Sequence, residues 1–266
     1  MNASPLATDR PALSLVICTF HREDLLRAAR DPQLGDLRGE ALQWVANKRP
    51  HEASSIAQGY LRETDQRLLE AAIRTLGMTR RDDSAPALCE FAGSANRDVR
   101  GAVAGALGSL QHACVEPTLR KLIADDNEYV QMLAGASYVR TAQRDLAVVR
   151  RLLKDGTARV KTQVAVALAE QASTADLALL REHLPTGPGS SEVIVAMRQT
   201  HTKPPRPEVS AFLRELLAGP MGRDGYLRAQ ALEFLRDAGD RQSLPLFVSA
   251  LQSSNIGERM AGAEGI

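Results

Sequence analysis

One pattern returns about every thirty residues along most of this chain, and such a period is the mark of stacked units rather than of one globular core. Its clearest copy is Asp98-Val99-Arg100-Gly101-Ala102-Val103-Ala104-Gly105-Ala106-Leu107-Gly108. Val99, Ala102, Val103, Ala106, Leu107 and Leu110 fall at i, i+3, i+4, i+7, i+8 and i+11, one face of a helix with 3.6 residues per turn. The leading apolar residues of successive copies are Leu37, Leu68, Val99, Val130, Val160, Val193, Leu227 and, in the last copy, Ile256, spaced 29 to 34 residues apart. Four residues on come Ala41, Ala72, Val103, Ala134, Val164, Met197, Ala231 and Met260. Eight residues on, the pattern is broken only by His201 and Glu264. Polar turns such as Thr64-Asp65, Asn96, Asp125-Asp126-Asn127, Asp155-Gly156, Asp224-Gly225 and Ser254-Asn255 precede these helices as capping signals. A second apolar helix follows in most copies, as at 85–91, 115–123, 146–153, 177–184 and 244–251. Each copy is therefore predicted to be a helical hairpin.

Aromatic residues make up only 4% of a chain that is 44% hydrophobic, which suits close-packed helices with small side chains better than a sheet. The expected fold is all-α: a right-handed α-solenoid of about seven to eight hairpins. Expected boundaries are an N-terminal arm and irregular first unit at 1–30, regular repeats at 31–184, an irregular Pro/Gly-rich unit at 185–207, and C-terminal repeats at 208–266. Within the irregular unit, Pro185 to Ser191 and Lys203 to Pro207 are expected to lie outside helix interiors, as a kink or bulging loop. The last copy stops inside its first helix without a polar cap, so a truncated piece, or an end that packs on a partner, is expected.

A turn with Asp or Asn, then Val-Arg or its equivalent, then small residues and Leu-Gly, runs through Asp98 to Gly108, Arg159-Val160-Lys161 to Leu168, and Tyr226-Leu227-Arg228 to Leu235. This resembles the short HEAT-like repeat of phycobilin lyase subunits and bacterial scaffold proteins, over about 31 to 266. The tetratricopeptide and ankyrin signatures are absent. The resemblance implies a scaffold whose concave face, built by the second helices, holds a protein or peptide partner. Its alternatives are a subunit of a bilin lyase and a HEAT-like protein that binds DNA. Separately, residues 13–26, with Leu15-Val16-Ile17-Cys18-Thr19-Phe20-His21-Arg22 at their centre, resemble the first strand and turn of family-2-type glycosyltransferases. That likeness implies a parallel sheet and an acidic metal motif, for which Asp125-Asp126 is the nearest candidate. Residues 12–22 are readable as strand or helix.

The residues one place after each leading position are Arg38, Leu69, Arg100, Gln131, Lys161, Ile194, Arg228 and Gly257. Stacking sets them in a row, expected on the second-helix face, so Arg38, Arg100, Gln131, Lys161 and Arg228 are candidate partner contacts. The competing reading is a structural ladder in which each base pairs with an acid or amide of a neighbouring turn. Trp44, the sole tryptophan, is a further candidate contact or a cover over the core's end.

No catalytic set stands out. The five histidines are scattered without ligand spacing, and no nucleophile-elbow, phosphate-loop or dinucleotide motif occurs. No metal and no cofactor are expected. Arg80-Arg81 and Arg150-Arg151 are flanked by acids and read as solvated helix ends. A net charge of +1 supplies no field toward nucleic acid or membrane, so nucleic acid stays an alternative partner and a membrane is not expected. Cys18, Cys89 and Cys114 read as core thiols of a reducing compartment, and the expected location is cytoplasmic. The expected role is non-catalytic, that of a protein-interaction scaffold whose oligomeric state the sequence leaves open.

Overall fold

The computed structural model describes residues 22–35, 37–184, 188–219 and 224–266, and every regular element among them is a helix. The N-terminal arm, Cys18, His21 and the strand-or-helix question at 12–21 lie outside the described residues, as do 185–187 of the Pro/Gly-rich stretch. The β pairing among the described residues is one isolated bridge, Thr202 to Pro205, so the parallel sheet implied by the glycosyltransferase likeness has no counterpart there.

The chain divides into two compact units, one ending at Arg144 and one beginning at Asp145. The first holds α1 (Arg22–Ala28), α2 (Leu37–Lys48), α3 (Pro50–Tyr60), α4 (Gln66–Thr79), α5 (Ala85–Glu90), α6 (Arg97–Leu107), α7 (Val115–Ile123) and α8 (Glu128–Arg140). The second holds α9 (Leu146–Asp155), α10 (Ala158–Gln171), α11 (Thr174–His183), α12 (Pro188–His201), α13 (Pro207–Ala218), α14 (Gly225–Asp237), α15 (Leu244–Ala250) and α16 (Ile256–Glu264). Within the first unit α2, α4, α6 and α8 pack side by side, and the second helices of the hairpins lie against them. Within the second unit α10, α12, α14 and α16 do the same. This side-by-side stacking of hairpins is an α-solenoid arrangement.

The helices begin where the sequence places a cap. The side chains of Asp65, Asn96, Asn127, Thr157, Asp224 and Asn255 each accept a backbone N–H from the first turn of the long helix that follows. Each such cap stabilises its helix by about 1 kcal/mol. The cap also sets the phase, because the third residue after it points into the core: Leu68, Val99, Val130, Val160 and Leu227 are all fully buried. Counted from Asn255, the last helix puts Glu258 in that position, not Ile256. Glu258 is 5% exposed, while Ile256 and Met260 stand in solvent. The expected phase of the last copy is thus wrong by two residues, because an apolar pair on its outer side mimics the buried stripe.

Two further departures have physical causes. The stretch Pro188 to Ser191, expected outside helix interiors as part of a kink or bulging loop, forms the first turn of α12. A proline is tolerated there because the first helical N–H groups have no intrahelical partner to lose. His201 breaks the eight-residue pattern without leaving the core. It is buried at the end of α12, where its Nε2–H donates to the Ala169 carbonyl of α10 at 2.8 Å.

Small residues let the long helices approach closely. A Cβ on Gly77 would lie 2.6 Å from the Ala106 Cα of the next long helix, and one on Gly108 would lie 3.0 Å from the Ser137 Cα. The same contact therefore recurs one hairpin later.

Cys89 and Cys114 were expected as separate core thiols. They are instead joined in a disulfide, with a Cα separation of 6.6 Å, linking α5 to the start of α7. Both are half-buried. Stacking of successive hairpins brings them together across 25 residues of sequence, a distance at which no motif announces a pair. The expectation of a cytoplasmic location rested in part on unpaired thiols, and the Cys89–Cys114 bond does not support that part. Among the described residues, no helix is long and apolar enough to cross a membrane.

Candidate functional site

The row of residues one place after each leading position lies on the long first helices, not on the second helices, and most of its members turn inward. Arg100 shows why. Its Nε donates to Asp125 at 2.7 Å, its Nη2 to Asp125 and Asp126 at 2.9 and 3.0 Å, and its Nη1 to the carbonyls of Ser94 and Ala95 at 2.9 and 3.3 Å. A guanidinium has five N–H donors, and all five are engaged. The side chain holds its own turn with one edge and the turn of the next hairpin with the other. Asp125, in the turn expected to carry an acidic metal motif, is an anchor for this clamp. The Arg100 guanidinium holds the Asp125 carboxyl below the usual carboxylate range, against the opposing effect of burial.

Other members repeat parts of this clamp. Arg38 donates to its own turn at the Gly35 carbonyl, 3.2 Å away, pairs with Glu63 of the next turn at 3.5 Å, and lies over the Tyr60 ring. Gln131 donates to the Asp125 carbonyl of its own turn at 2.5 Å. Arg228 reaches forward to Glu258 at 3.0 Å and to the Ser249 hydroxyl at 3.1 Å. Corrected for the phase of the last helix, the row ends in Arg259 rather than Gly257. The Nη1 of Arg259 donates to the Ser253 and Ser254 carbonyls at 2.8 and 2.9 Å, matching Arg100. Sequence reading missed Arg259, and the signal that finds it is the cap, Asn255, four residues before it. Lys161 is half-buried on α10, in the second unit, and Trp44 is 46% exposed on α2, in the first.

A surface suited to a ligand lies elsewhere, on the long helices of the second unit. Two adjoining depressions share Val195 and Gln199 of α12. One, of about 550 Å³, lies between α12 and α14 and is lined by Gln230. The other, of about 430 Å³, reaches α10 and is lined by Gln163, with Tyr226 at its edge. Tyr226 is 62% exposed. Among the described residues, neither Gln199 nor Gln230 makes a side-chain hydrogen bond within the protein, and Gln163 makes a long one of 3.4 Å to Glu192. Gln163 and Gln230 occupy the same place after their caps, two hairpins apart. One wall is a charge network in which Arg198 meets Asp237 at 2.7 Å and also pairs with Glu233. Burial pushes the Asp237 carboxyl up, but Arg236 and Arg198 together hold it below the ordinary value. Lys203 also lines the first depression and Glu170 and Glu192 the second, so the amides and the aromatic ring sit among charged side chains. Sequence analysis singled out none of the three glutamines, because exposed glutamine on a helix is unremarkable until stacking aligns several.

Among the described residues, no group of three or more His, Cys, Asp or Glu side chains is placed to hold a metal ion. The geometry can bind through amides, one aromatic ring and the charged side chains of the walls.

Fold and surface together define a helical-repeat protein. Residues 22–108, about a third of the chain, match the family model for HEAT repeats. No curated protein matches the sequence. Among solved structures, that of Escherichia coli YibA is similar at a TM-score of 0.52 and 13% identity, covering 99% of this chain and 98% of the other. Human deoxyhypusine hydroxylase in complex with glycerol is similar at 0.41 and 16% identity, over 96% and 97%. The CpcE and CpcF complex of phycocyanin lyase from Nostoc is similar at 0.39 and 19% identity, over 100% and 91%. At these identities the likeness to YibA is one of fold, and the other two carry no argument.

Proposed function

We propose that the protein is a non-catalytic scaffold that holds an extended peptide segment of a partner protein across α10, α12 and α14. The observation that supports this reading is the set of uncommitted amides at Gln199 and Gln230, with Gln163, over two adjoining depressions edged by Tyr226. An amide side chain offers one donor group and one acceptor, which matches the N–H and C=O of an extended backbone without requiring charge. Long helices packed about 8 to 10 Å apart place Gln163 and Gln230 roughly 16 to 20 Å from each other. An extended strand rising about 3.3 Å per residue spans that distance in about six residues. The arginine row favours nucleic acid less, since Arg100 and Arg259 direct their donors to turn carbonyls and acids of the protein itself.

The test is selection of random twelve-residue peptides on the immobilised protein. Peptides are expected to emerge whose affinity falls about tenfold in Gln199→Ala/Gln230→Ala, the effect of losing hydrogen bonds worth about 1.4 kcal/mol in all. Enrichment of the same peptides on wild type and double variant alike would remove this surface from the proposal.

A further inference from the structure

We propose that the segment held across α10, α12 and α14 carries an arginine, whose guanidinium seats in the depression between α10 and α12 against Tyr226 and Glu192. The segment itself rests on the peptide reading above, and the arginine on separate observations.

The first unit holds such an arginine of its own. Tyr129 of α8 lies over α6 where a glycine leaves room for it, since a Cβ on Gly101 would come 2.8 Å from the ring. Arg74 of α4, two hairpins back, donates a hydrogen bond to the Tyr129 hydroxyl. The same guanidinium donates to Glu70 at 2.6 and 2.9 Å. A tyrosine at the start of one long helix and an acid on an earlier one thus grip a guanidinium between them.

Tyr226 stands at the matching place in the second unit, two residues after the Asp224 cap, as Tyr129 is two after Asn127. Counted from the buried leading residues, Val195 of α12 takes the place of Gly101, and Val166 of α10 that of Arg74. The branched Val195 denies Tyr226 the flat seat that Gly101 gives Tyr129, so Tyr226 is 62% exposed against 37%. With valine in place of arginine on α10, the second unit has a depression of about 430 Å³ that both valines line.

Its chemistry suits the group that the first unit supplies internally. Among the described residues, the charged side chains lining it are Glu170 and Glu192, both acids. Glu192 is exposed and accepts the long 3.4 Å bond from Gln163. Glu192 and Tyr226 each stand one place before the leading residue of neighbouring long helices, so acid and ring lie level across a helix spacing of about 8 to 10 Å. A guanidinium bridges them, with its flat face on the ring and its N–H edge on the carboxylate. An ammonium lacks both the plane and the fork. The adjoining depression is less suited to a cation, because Lys203 lines it and its acid Asp237 is already paired with Arg198.

Proton NMR titration of the full chain with N-acetyl-arginine amide decides this, read on the rings of its four tyrosines. The Tyr226 signals, identified by their loss in Tyr226→Phe, are expected to shift and to saturate at millimolar ligand, while those of Tyr129 stay in place. The lysine and glutamine analogues are expected to bind more weakly, glutamine least. Glu192→Gln should weaken the arginine probe about three- to fivefold, the worth of one exposed ion pair, with helical circular dichroism unchanged. A Tyr226 ring indifferent to the arginine probe, an equal response to all three probes, or an affinity unchanged in Glu192→Gln overturns the arginine seat and leaves peptide capture by Gln199 and Gln230 standing. Selected peptides indifferent to Gln199→Ala/Gln230→Ala, beside a Tyr226 ring that does respond, would remove the peptide reading and keep the seat.

Discussion

Gly77→Ala is expected to destabilise the first unit by about 1 to 3 kcal/mol, and Gly105→Ala, within α6, to stabilise it by about 0.5 to 1 kcal/mol. Both glycines lie inside long helices, where alanine is favoured by backbone entropy and propensity. What separates them is space. At Gly105 nothing lies within 4 Å of an added Cβ, so the propensity gain stands alone. At Gly77 the methyl would sit 2.6 Å from the Ala106 Cα and 2.7 Å from its Cβ, and backbone cannot swing aside as a flexible side chain does. The overpacking cost exceeds the propensity gain, and α4 must move away from α6. Trp44 lies in the same unit and is the chain's sole tryptophan, so its fluorescence reports this transition in denaturant. Changes of the same sign at both positions would show that stacking distance does not govern the unit.

Arg100→Ala is expected to cost about 2 kcal/mol at neutral pH, because it leaves Asp125, whose side chain is only 8% exposed, without its charged partner. The pH dependence carries the more specific signature. Asp125 is held below its unfolded value by Arg100, so the stabilisation is complete above the unfolded carboxylate pKa of about 3.9 and is lost as pH falls through the lower folded value. Wild type and Arg100→Ala should therefore differ most at neutral pH, and the gap should narrow as the solution is acidified. Denaturant unfolding at both conditions checks this. A gap that does not change with pH would mean that Arg100 acts through its turn carbonyls and not through Asp125. Arg100→Lys should recover little, since an ammonium cannot reproduce a planar fork that reaches two turns at once.

The hairpin repeat was legible in the sequence because it rests on local physics. A cap, a 3.6-residue apolar stripe and a polar turn each act within a few residues, and the period shows in their recurrence. The same locality explains the misreading of the last copy. Ile256 and Met260 form a stripe as convincing as Val99 and Val103, and the cap, in which the Glu258 N–H donates to the Asn255 side chain, marks which stripe is buried. The arginine row was visible as a row, but its direction was not, since inward and outward guanidiniums share one sequence. The three glutamines of the second unit were invisible for the opposite reason: they are unexceptional singly and gain meaning when stacked helices set them beside shared depressions.

By itself the sequence determined the all-helical class, the hairpin length and most of the core, since helix formation and amphipathic burial are written at spacings of three and four residues. The tertiary structure alone decided the bond between Cys89 and Cys114, the closure of Arg100 on Asp125, the division after Arg144, and which apolar face of the last hairpin is left in solvent. Each depends on contacts 25 or more residues apart or on the absence of a neighbour, and neither leaves a local trace in the order of residues.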